Sequence, residues 1–219
     1  MDFVRVIIVL VIVIGSVILH ELAHGVVAYF LGDNTAKDSG RLTLNPLKHI
    51  DPYMSIIVPV VLYLLNAPVF GGAKPVPIDS RNLKWREWGL ALVAIAGPLT
   101  NFLIAFITFL IGHFTGLIGI SSNSLYFLSN SLIAEILAEV IIINIGFMIF
   151  NLIPIPPLDG SRVLYAIAPD VVRDYMRKLE PYGFIIVYAL ILIFGQLFSS
   201  LMYSGIDGVL SLFRILTGN

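Results

Sequence analysis

The sequence predicts an all-α polytopic membrane protein, and its composition and its long apolar stretches are the two observations that predict it. Of its 219 residues, 58% are hydrophobic and 12% are charged, whereas about a quarter of the residues in a typical soluble domain are charged. We expect about 4–5 transmembrane helices, a short re-entrant or membrane-associated segment and a small extended or β element. No room for a separate soluble domain remains between the apolar stretches, so residues 1–219 are expected to form one domain.

Four apolar stretches are long enough to cross about 30 Å of hydrocarbon as helices. They cover residues 4–31, 88–111, 131–150 and 184–203. The first lacks the small-residue cleavage site of a signal peptide, so we interpret it as a retained span. A shorter stretch, residues 53–66, contains Pro59 and is a short span, a re-entrant hairpin or a surface segment. Residues 206–216 are amphipathic and too short to cross.

Basic residues predict the orientation of these spans. Lys and Arg occur in the loops 32–52, 67–87 and 160–182, and the loop 112–130 has neither. Because basic residues are enriched in cytoplasmic loops, the first three loops are expected to be cytoplasmic. All three share one side only if residues 53–66 enter and leave on that side, so we favour the re-entrant interpretation. The expected location is the plasma membrane, with the lipid bilayer as a partner.

Charge and cysteine content exclude several classes of protein. The net charge is −1 and there is no basic stripe, so the sequence does not indicate a nucleic-acid partner. The chain has no cysteine, which excludes disulfide bonds and a zinc site built from thiolates.

His20-Glu21-Leu22-Ala23-His24 places three ionisable side chains within an apolar run. Such groups are costly at membrane depth and usually mark function. The two histidines are one helical turn apart on the same face, as two zinc ligands require, and Glu21 points roughly 100° away, where it can reach a metal-bound water. This is the H-E-x-x-H pattern of zinc hydrolases. The alternative is a chance match in which both histidines are hydrogen-bonded core residues.

A third metal ligand is expected from Asp159, which follows a segment rich in proline, residues 151–160. Three prolines in four positions must end the preceding helix, and irregular backbone at membrane depth is tolerated where it lines a wet cavity or is buried in protein. An ordinary turn aspartate in a cytoplasmic loop is the alternative. The other candidates lie in the polar loop after the first span: Asp33, Asp38, His49 and Asp51.

Taken together, these motifs resemble the site-2 protease family of intramembrane zinc metalloproteases. The resemblance rests on the H-E-L-A-H motif, on residues 151–160, on Ala96-Gly97-Pro98-Leu99-Thr100-Asn101 and on residues 71–77 (G-G-A-K-P-V-P). The last segment is similar to that of compact prokaryotic members, and the chain has no room for their relatives' PDZ or CBS domains.

The resemblance implies a role for each matching residue. His20, His24 and Asp159 would hold one Zn²⁺ per chain, and Glu21 would be the general base. Asn151 would be a second catalytic residue that donates to the oxyanion or holds the substrate backbone, although capping of the broken helix explains it nearly as well. For Gly97, Asn101 and Asn144, helix–helix packing is the favoured interpretation.

Residues 74–79 are expected to form an extended strand, because two prolines spaced by one residue forbid a helix. Its edge could pair with an unwound substrate by strand addition. The expected substrate-binding residues are therefore Lys74, Pro75, Val76 and Pro77. A plain surface turn is the alternative.

The sequence thus indicates a zinc-dependent intramembrane endopeptidase that cleaves a transmembrane protein substrate in or near its membrane segment. Its catalytic core would cover residues 4–165 and its C-terminal helical region residues 166–219, with the active site toward the cytoplasm. Two alternatives stay open: a membrane metal-binding or transport protein, and a catalytically inactive relative that binds membrane proteins. The oligomeric state is not indicated.

Overall fold

The computed structural model describes residues 3–64, 72–121, 124–128 and 131–218. In chain order the helices are α1 (Phe3–Phe30), α2 (Thr35–Asp38), α3 (Val58–Leu64), α4 (Glu87–Phe114), α5 (Leu132–Leu152), α6 (Asp159–Ile167), α7 (Asp170–Leu179), α8 (Gly183–Ile193) and α9 (Gly195–Leu216). Short 3₁₀ turns cover Pro46–Lys48 and Glu180–Tyr182, and a π-helical turn covers Pro52–Ile57. Two short strands, β1 (Ile118–Ser121) and β2 (Ser124–Phe127), complete the described elements.

Three helices, α1, α4 and α5, are long and apolar enough to cross a membrane. They contain 28, 28 and 21 residues, whereas about 20 are needed for a span. Helix α4 packs against both α1 and α5 and also contacts α6. The prediction of an all-α polytopic membrane protein is confirmed, and so are the first three predicted spans.

The fourth predicted span, residues 184–203, is wrong as one continuous helix. Helix α8 ends at Ile193, and α9 makes an angle of 96° with the helical stretch Asp170–Ile193 that α8 completes. Glycine is unfavourable inside a helix, so Gly195 followed by the polar Gln196 is a natural breaking point that hydropathy alone does not reveal. Residues 206–216, expected to be a separate amphipathic piece, are the last part of α9.

The start of the short apolar segment 53–66 contacts the part of the chain that the structure describes again from Gly72. Its described part consists of the π-helical turn and α3, and residues 65–71 lie outside the described part of the chain. The Ser55 hydroxyl donates to the Gly72 carbonyl at 2.7 Å, and the Lys74 N–H donates to the His49 carbonyl at 2.8 Å. Because these bonds join His49 and Ser55 to Gly72 and Lys74, the contacts of the described residues agree with the re-entrant interpretation.

The small β element lies at the other end of the bundle from the two histidines of α1. Strands β1 and β2 form an antiparallel hairpin with Ile118 opposite Phe127, which packs between α4, α5 and α9. Ile118 is fully buried in a core with Phe109, Ile141, Ile145 and Phe213. This core packs α4 and α5 against each other and against α9 at the end of the bundle away from the histidines.

The strand expected at residues 74–79 does not form: residues 72–79 carry no regular secondary structure. Pro75 and Pro77 have no N–H to contribute to a ladder. The neighbouring N–H groups bond elsewhere, since Lys74 donates to His49 and Asp79 donates to the Asp33 carboxylate at 2.7 Å. The segment is therefore held by scattered contacts to the loop after α1.

Candidate metal centre and the cavity around it

Three of the predicted site residues meet in one place. The Nε2 atoms of His20 and His24 lie 3.0 Å apart, and they lie 3.1 and 3.3 Å from Oδ2 of Asp159. Both histidines are buried. In the described ranges this is the one group of His, Cys, Asp and Glu side chains that could hold a metal ion.

The backbone explains how Asp159 reaches the histidines. Helix α5 ends at Leu152, the prolines redirect the chain, and Asp159 is the first residue of α6. A Cβ on Gly160 would lie 2.1 Å from the Leu152 carbonyl oxygen. Only glycine therefore lets the start of α6 approach the end of α5 closely enough to bring Asp159 beside His20 and His24.

The hydrogen bonds of the two imidazole rings indicate the tautomer in which Nδ1 carries the proton and Nε2 has a free lone pair. His24 Nδ1 faces the Val93 carbonyl at 2.7 Å and must donate to it, and His20 Nδ1 lies 2.6 Å from Oδ1 of Asn101. A neutral imidazole has one donor and one acceptor nitrogen. Each Nε2 is then an acceptor aimed at the other and at Asp159 Oδ2, which is buried and has no hydrogen-bond partner.

Three acceptors in contact need a cation between them, and this donor set suits zinc. Zinc is bound by histidine nitrogen and carboxylate oxygen at about 2.0–2.2 Å, so tetrahedral ligands lie about 3.3 Å from one another. The observed separations of 3.0–3.3 Å are close to that spacing. Three protein ligands also leave the fourth position that a catalytic zinc site keeps open.

One face of α4 supports both histidines. Val93, Gly97 and Asn101 follow one another at four-residue intervals; the first bonds His24 and the last bonds His20. A Cβ on Gly97 would lie 2.5 Å from His20 Nε2 and 2.5 Å from His24 Cε1. From the sequence, helix packing was the favoured interpretation for Gly97 and Asn101, and it did not include their contacts with the two histidines. The sequence signal that could have indicated these contacts is a shared spacing of four residues, which separates His20 from His24 on α1 and Gly97 from Asn101 on α4.

A cavity of about 760 Å³ opens beside the three ligands. Glu21 and Asn151 line it, as do Pro75 and Val76 of the predicted substrate segment. Lys74 and Pro77 do not line it, whereas the neighbouring residues Gly72, Ala73 and Ile78 do. The Lys74 backbone is turned toward the loop after α1, where its carbonyl accepts a hydrogen bond from Arg41 at 2.7 Å.

Glu21 is held in this cavity by the segment that faces it. Its Oε2 accepts a hydrogen bond from the Val76 N–H at 2.7 Å. The contact joins α1 to a loop 55 positions further along the chain. It orients the carboxylate that follows the first histidine, and sequence spacing alone gave no sign of it.

Asn151 lines the cavity from the last turn of α5. Its Nδ2 donates to the Phe147 carbonyl at 2.9 Å within the same helix. An amide has two N–H donors and one acceptor oxygen, so the second N–H and the oxygen stay available to a bound molecule. The structure thus shows the bond from Asn151 to the end of its own helix. The catalytic role of Asn151 stays a prediction.

The other candidate ligands have structural contacts instead. Asp33 is buried; burial opposes its ionisation, but hydrogen bonds from the Thr35 hydroxyl and from the backbone N–H groups of Asp79 and Thr35 lower its pKa overall. His49 is buried with Nε2 2.8 Å from the Thr43 carbonyl. Neither these two nor Asp38 and Asp51 belong to the metal-binding group among the residues described.

The chain is similar to known proteins over most of its length. A model of peptidase family M50 matches residues 8–194. The chain is 36% identical over 202 residues to "Putative zinc metalloprotease YwhC" of Bacillus subtilis, which covers 91% of this chain and 88% of that protein. It is 28% identical over 180 residues to "Putative zinc metalloprotease Rip2" of Mycolicibacterium smegmatis, covering 81% of this chain and 63% of that relative. No solved structure matches the chain.

Proposed function

This chain belongs to peptidase family M50, the site-2 protease family, and from that premise we propose that it is a zinc-dependent intramembrane endopeptidase. It hydrolyses a peptide bond in or near a transmembrane segment of a membrane protein. The observation that carries the proposal is the convergence of His20, His24 and Asp159 on one point beside Glu21, in a cavity among apolar helices. These three residues would hold one Zn²⁺ per chain.

Glu21 and Asn151, which line the cavity beside the three candidate ligands, each have a role in this hydrolysis. Zinc supplies Lewis acidity that makes water a usable nucleophile near neutral pH. Glu21 takes the proton from the attacking water and later gives it to the leaving amine, as a general base and then a general acid. The free N–H of the Asn151 amide donates to the oxygen on which negative charge develops.

The substrate backbone binds along residues 75–78. The Val76 carbonyl and both main-chain groups of Ile78 have no hydrogen-bond partner within the described part of the chain. Pro75 and Pro77 favour extended backbone around them, and in extended backbone alternate residues direct their N–H and C=O groups to the same edge, so residues 76 and 78 are expected to share an edge. An unwound substrate can pair there with the backbone of residues 76 and 78, so Lys74 and Pro77 are not among the contacts of this proposal.

The site faces the cytoplasm in this proposal. The loop after α1 and the segment before α4 are joined at one end of the bundle, since Lys84 N–H donates to the Leu31 carbonyl at 2.8 Å and Asp79 N–H donates to Asp33. These loops carry Lys and Arg, as cytoplasmic loops do. The protein is a multi-pass protein of the plasma membrane, with a catalytic core at residues 4–165 and a C-terminal helical region at residues 166–219.

The test offers purified protein in liposomes a panel of single-span membrane proteins that carry tags at both ends. Wild type is compared with Glu21→Gln and with the matched control Glu135→Gln, an exposed glutamate in the first turn of α5. Cleavage is followed from the tagged fragments, and zinc content is measured on each protein. Loss of a general base costs about 10²–10⁴-fold in rate. We expect that loss in Glu21→Gln with zinc retained, and no loss in the control.

Two results would contradict the proposal. Cleavage by Glu21→Gln at the wild-type rate would show that this carboxylate is not the base. Zinc flux into liposomes without cleavage of any panel member would favour the transport alternative. That alternative predicts further ligands along a path, but the residues described contain a single metal-binding group.

A further inference from the structure

A chain of buried polar side chains connects three helices beside His20. Asn101 on α4 and Asn144 on α5 are both 0% exposed, and Ser16 on α1 is 5% exposed. Asn101 Nδ2 donates to Asn144 Oδ1 at 2.9 Å, and Asn144 Nδ2 lies 2.9 Å from Ser16 Oγ. Interhelical bonds of this kind stabilise the packing of membrane helices. Packing alone does not explain why this series of hydrogen-bonded side chains ends at His20.

The orientation of both amides follows from one backbone carbonyl. Asn144 Nδ2 also lies 2.9 Å from the Val140 carbonyl oxygen, which can only accept. Asn144 must therefore place its NH₂ group there and its Oδ1 toward Asn101. Asn101 must in turn direct its NH₂ group to Asn144 and its own Oδ1 to His20 Nδ1. Each assignment forces the next, so the arrangement has one consistent set of donors and acceptors.

This orientation decides which nitrogen of His20 is free. With Asn101 Oδ1 as acceptor, His20 Nδ1 carries the proton and Nε2 presents its lone pair to Asp159 and His24. An asparagine that could rotate would offer its NH₂ group instead, and Nε2 would then carry the proton and lose its capacity as a ligand. His24 needs no such device, because its Nδ1 bonds the Val93 backbone carbonyl, which cannot be exchanged for a donor.

We propose that Asn144 is a positioning residue of the metal site, which acts through Asn101 to hold His20 in the tautomer that binds zinc. The inference rests on the proposed zinc-dependent function and deepens it. Groups that hydrogen-bond a metal-binding histidine orient the ring, and their substitution costs about 10–100-fold in metal affinity. Here the orienting group is itself oriented by a residue on a third helix.

The experiment measures the zinc dissociation constant of each purified protein in detergent by competition with a chromophoric chelator. The visible spectrum of Co²⁺ bound in place of zinc reports whether the ligand geometry persists. Asn101→Leu removes the acceptor, and we expect about 10–100-fold weaker zinc binding. Asn144→Leu leaves Asn101 free to rotate, and we expect weaker binding by a smaller factor. Ser16→Ala is the matched control, because Val140 still orients Asn144; its affinity should stay within about twofold of wild type.

The double substitution Asn101→Leu/Asn144→Leu separates positioning from packing. It leaves neither amide unpaired, so it protects the fold better than either single change. If Asn144 acts only through Asn101, the double variant binds zinc as weakly as Asn101→Leu alone. Wild-type zinc affinity in the folded leucine variants would overturn the inference and leave helix packing as the role of both residues. Additive losses would overturn the action through Asn101. Absence of zinc binding by wild type would instead overturn the proposed function.

Discussion

The backbone N–H of Val76 donates a hydrogen bond of 2.7 Å to the Glu21 carboxylate. Val76 lies in the segment that lines the cavity opposite α1, and Glu21 follows the first histidine of the metal centre. The position of the proposed base is therefore coupled to the position of the proposed substrate segment. Any displacement of residues 75–78 changes the orientation of the carboxylate that the reaction needs.

Substitution Val76→Pro removes this N–H. A hydrogen bond to a charged group contributes about 1.5–3 kcal/mol, so we expect cleavage to fall about 10–100-fold while zinc content stays at the wild-type level. Val76→Ala keeps the N–H and is the control, with a smaller loss from the buried side chain. Equal rates for the proline and alanine variants would show that the bond does not orient Glu21.

Substitution Gly97→Ala should damage the metal centre directly. Its Cβ would lie 2.5 Å from His20 and from His24, well inside van der Waals contact. The rings must then move apart, and we expect zinc to bind at least about 10-fold more weakly, as for other changes that disturb ligand orientation. Gly146→Ala on α5 is the matched control, because nothing lies within 4 Å of its added Cβ. Unchanged zinc affinity in Gly97→Ala would contradict the close approach of α4 to the histidines.

Substitution Asn151→Ala distinguishes the two interpretations of that residue. If its amide steadies the oxyanion, kcat falls about 10²–10³-fold with zinc content unchanged. If its bond to the Phe147 carbonyl is all it contributes, stability falls and kcat does not. Thr100→Val is the control, since it deletes a similar bond, from the Thr100 hydroxyl to the Ala96 carbonyl at 2.9 Å, away from the cavity.

Asp33→Asn tests the loop that anchors the substrate segment. Burial opposes the ionisation of Asp33, but the hydrogen bonds that its carboxylate accepts outweigh this and hold its pKa below the usual range in the folded protein. The ionised carboxylate therefore stabilises the fold fully above about pH 4, and this stabilisation is lost as the pH falls through the lowered folded pKa. We expect Asp33→Asn to be less stable at pH 7 by about 1–3 kcal/mol and to lose less stability between pH 5 and acid.

Thermal unfolding in detergent across that pH range measures this effect. Asp38→Asn, which changes an exposed carboxylate in the same loop, serves as the control and should match wild type. A pH profile of Asp33→Asn parallel to that of wild type would show that the hydrogen bonds to Asp33 do not stabilise the loop.

Local sequence patterns were enough to predict the three long spans and the paired histidines, and they offered Asp159 as the expected third ligand beside other acidic candidates. These features depend on local information: an apolar run long enough to cross a bilayer, a spacing of four on one helix face, and prolines that must break a helix. Side chains that can bind a metal ion are recognised by their chemistry wherever they stand in the sequence.

Only the packing of the helices in three dimensions establishes which groups surround His20, Glu21 and His24. The contacts of Gly97 and Asn101 with the histidines depend on the rotation and register of α4 against α1, which neither helix encodes by itself. The same holds for the bond from Val76 to Glu21, and for the position of the β hairpin far from residues 74–79. The bend between α8 and α9 could not be predicted from hydropathy. An apolar stretch indicates that a segment is buried in lipid, but it does not indicate the direction of the backbone there.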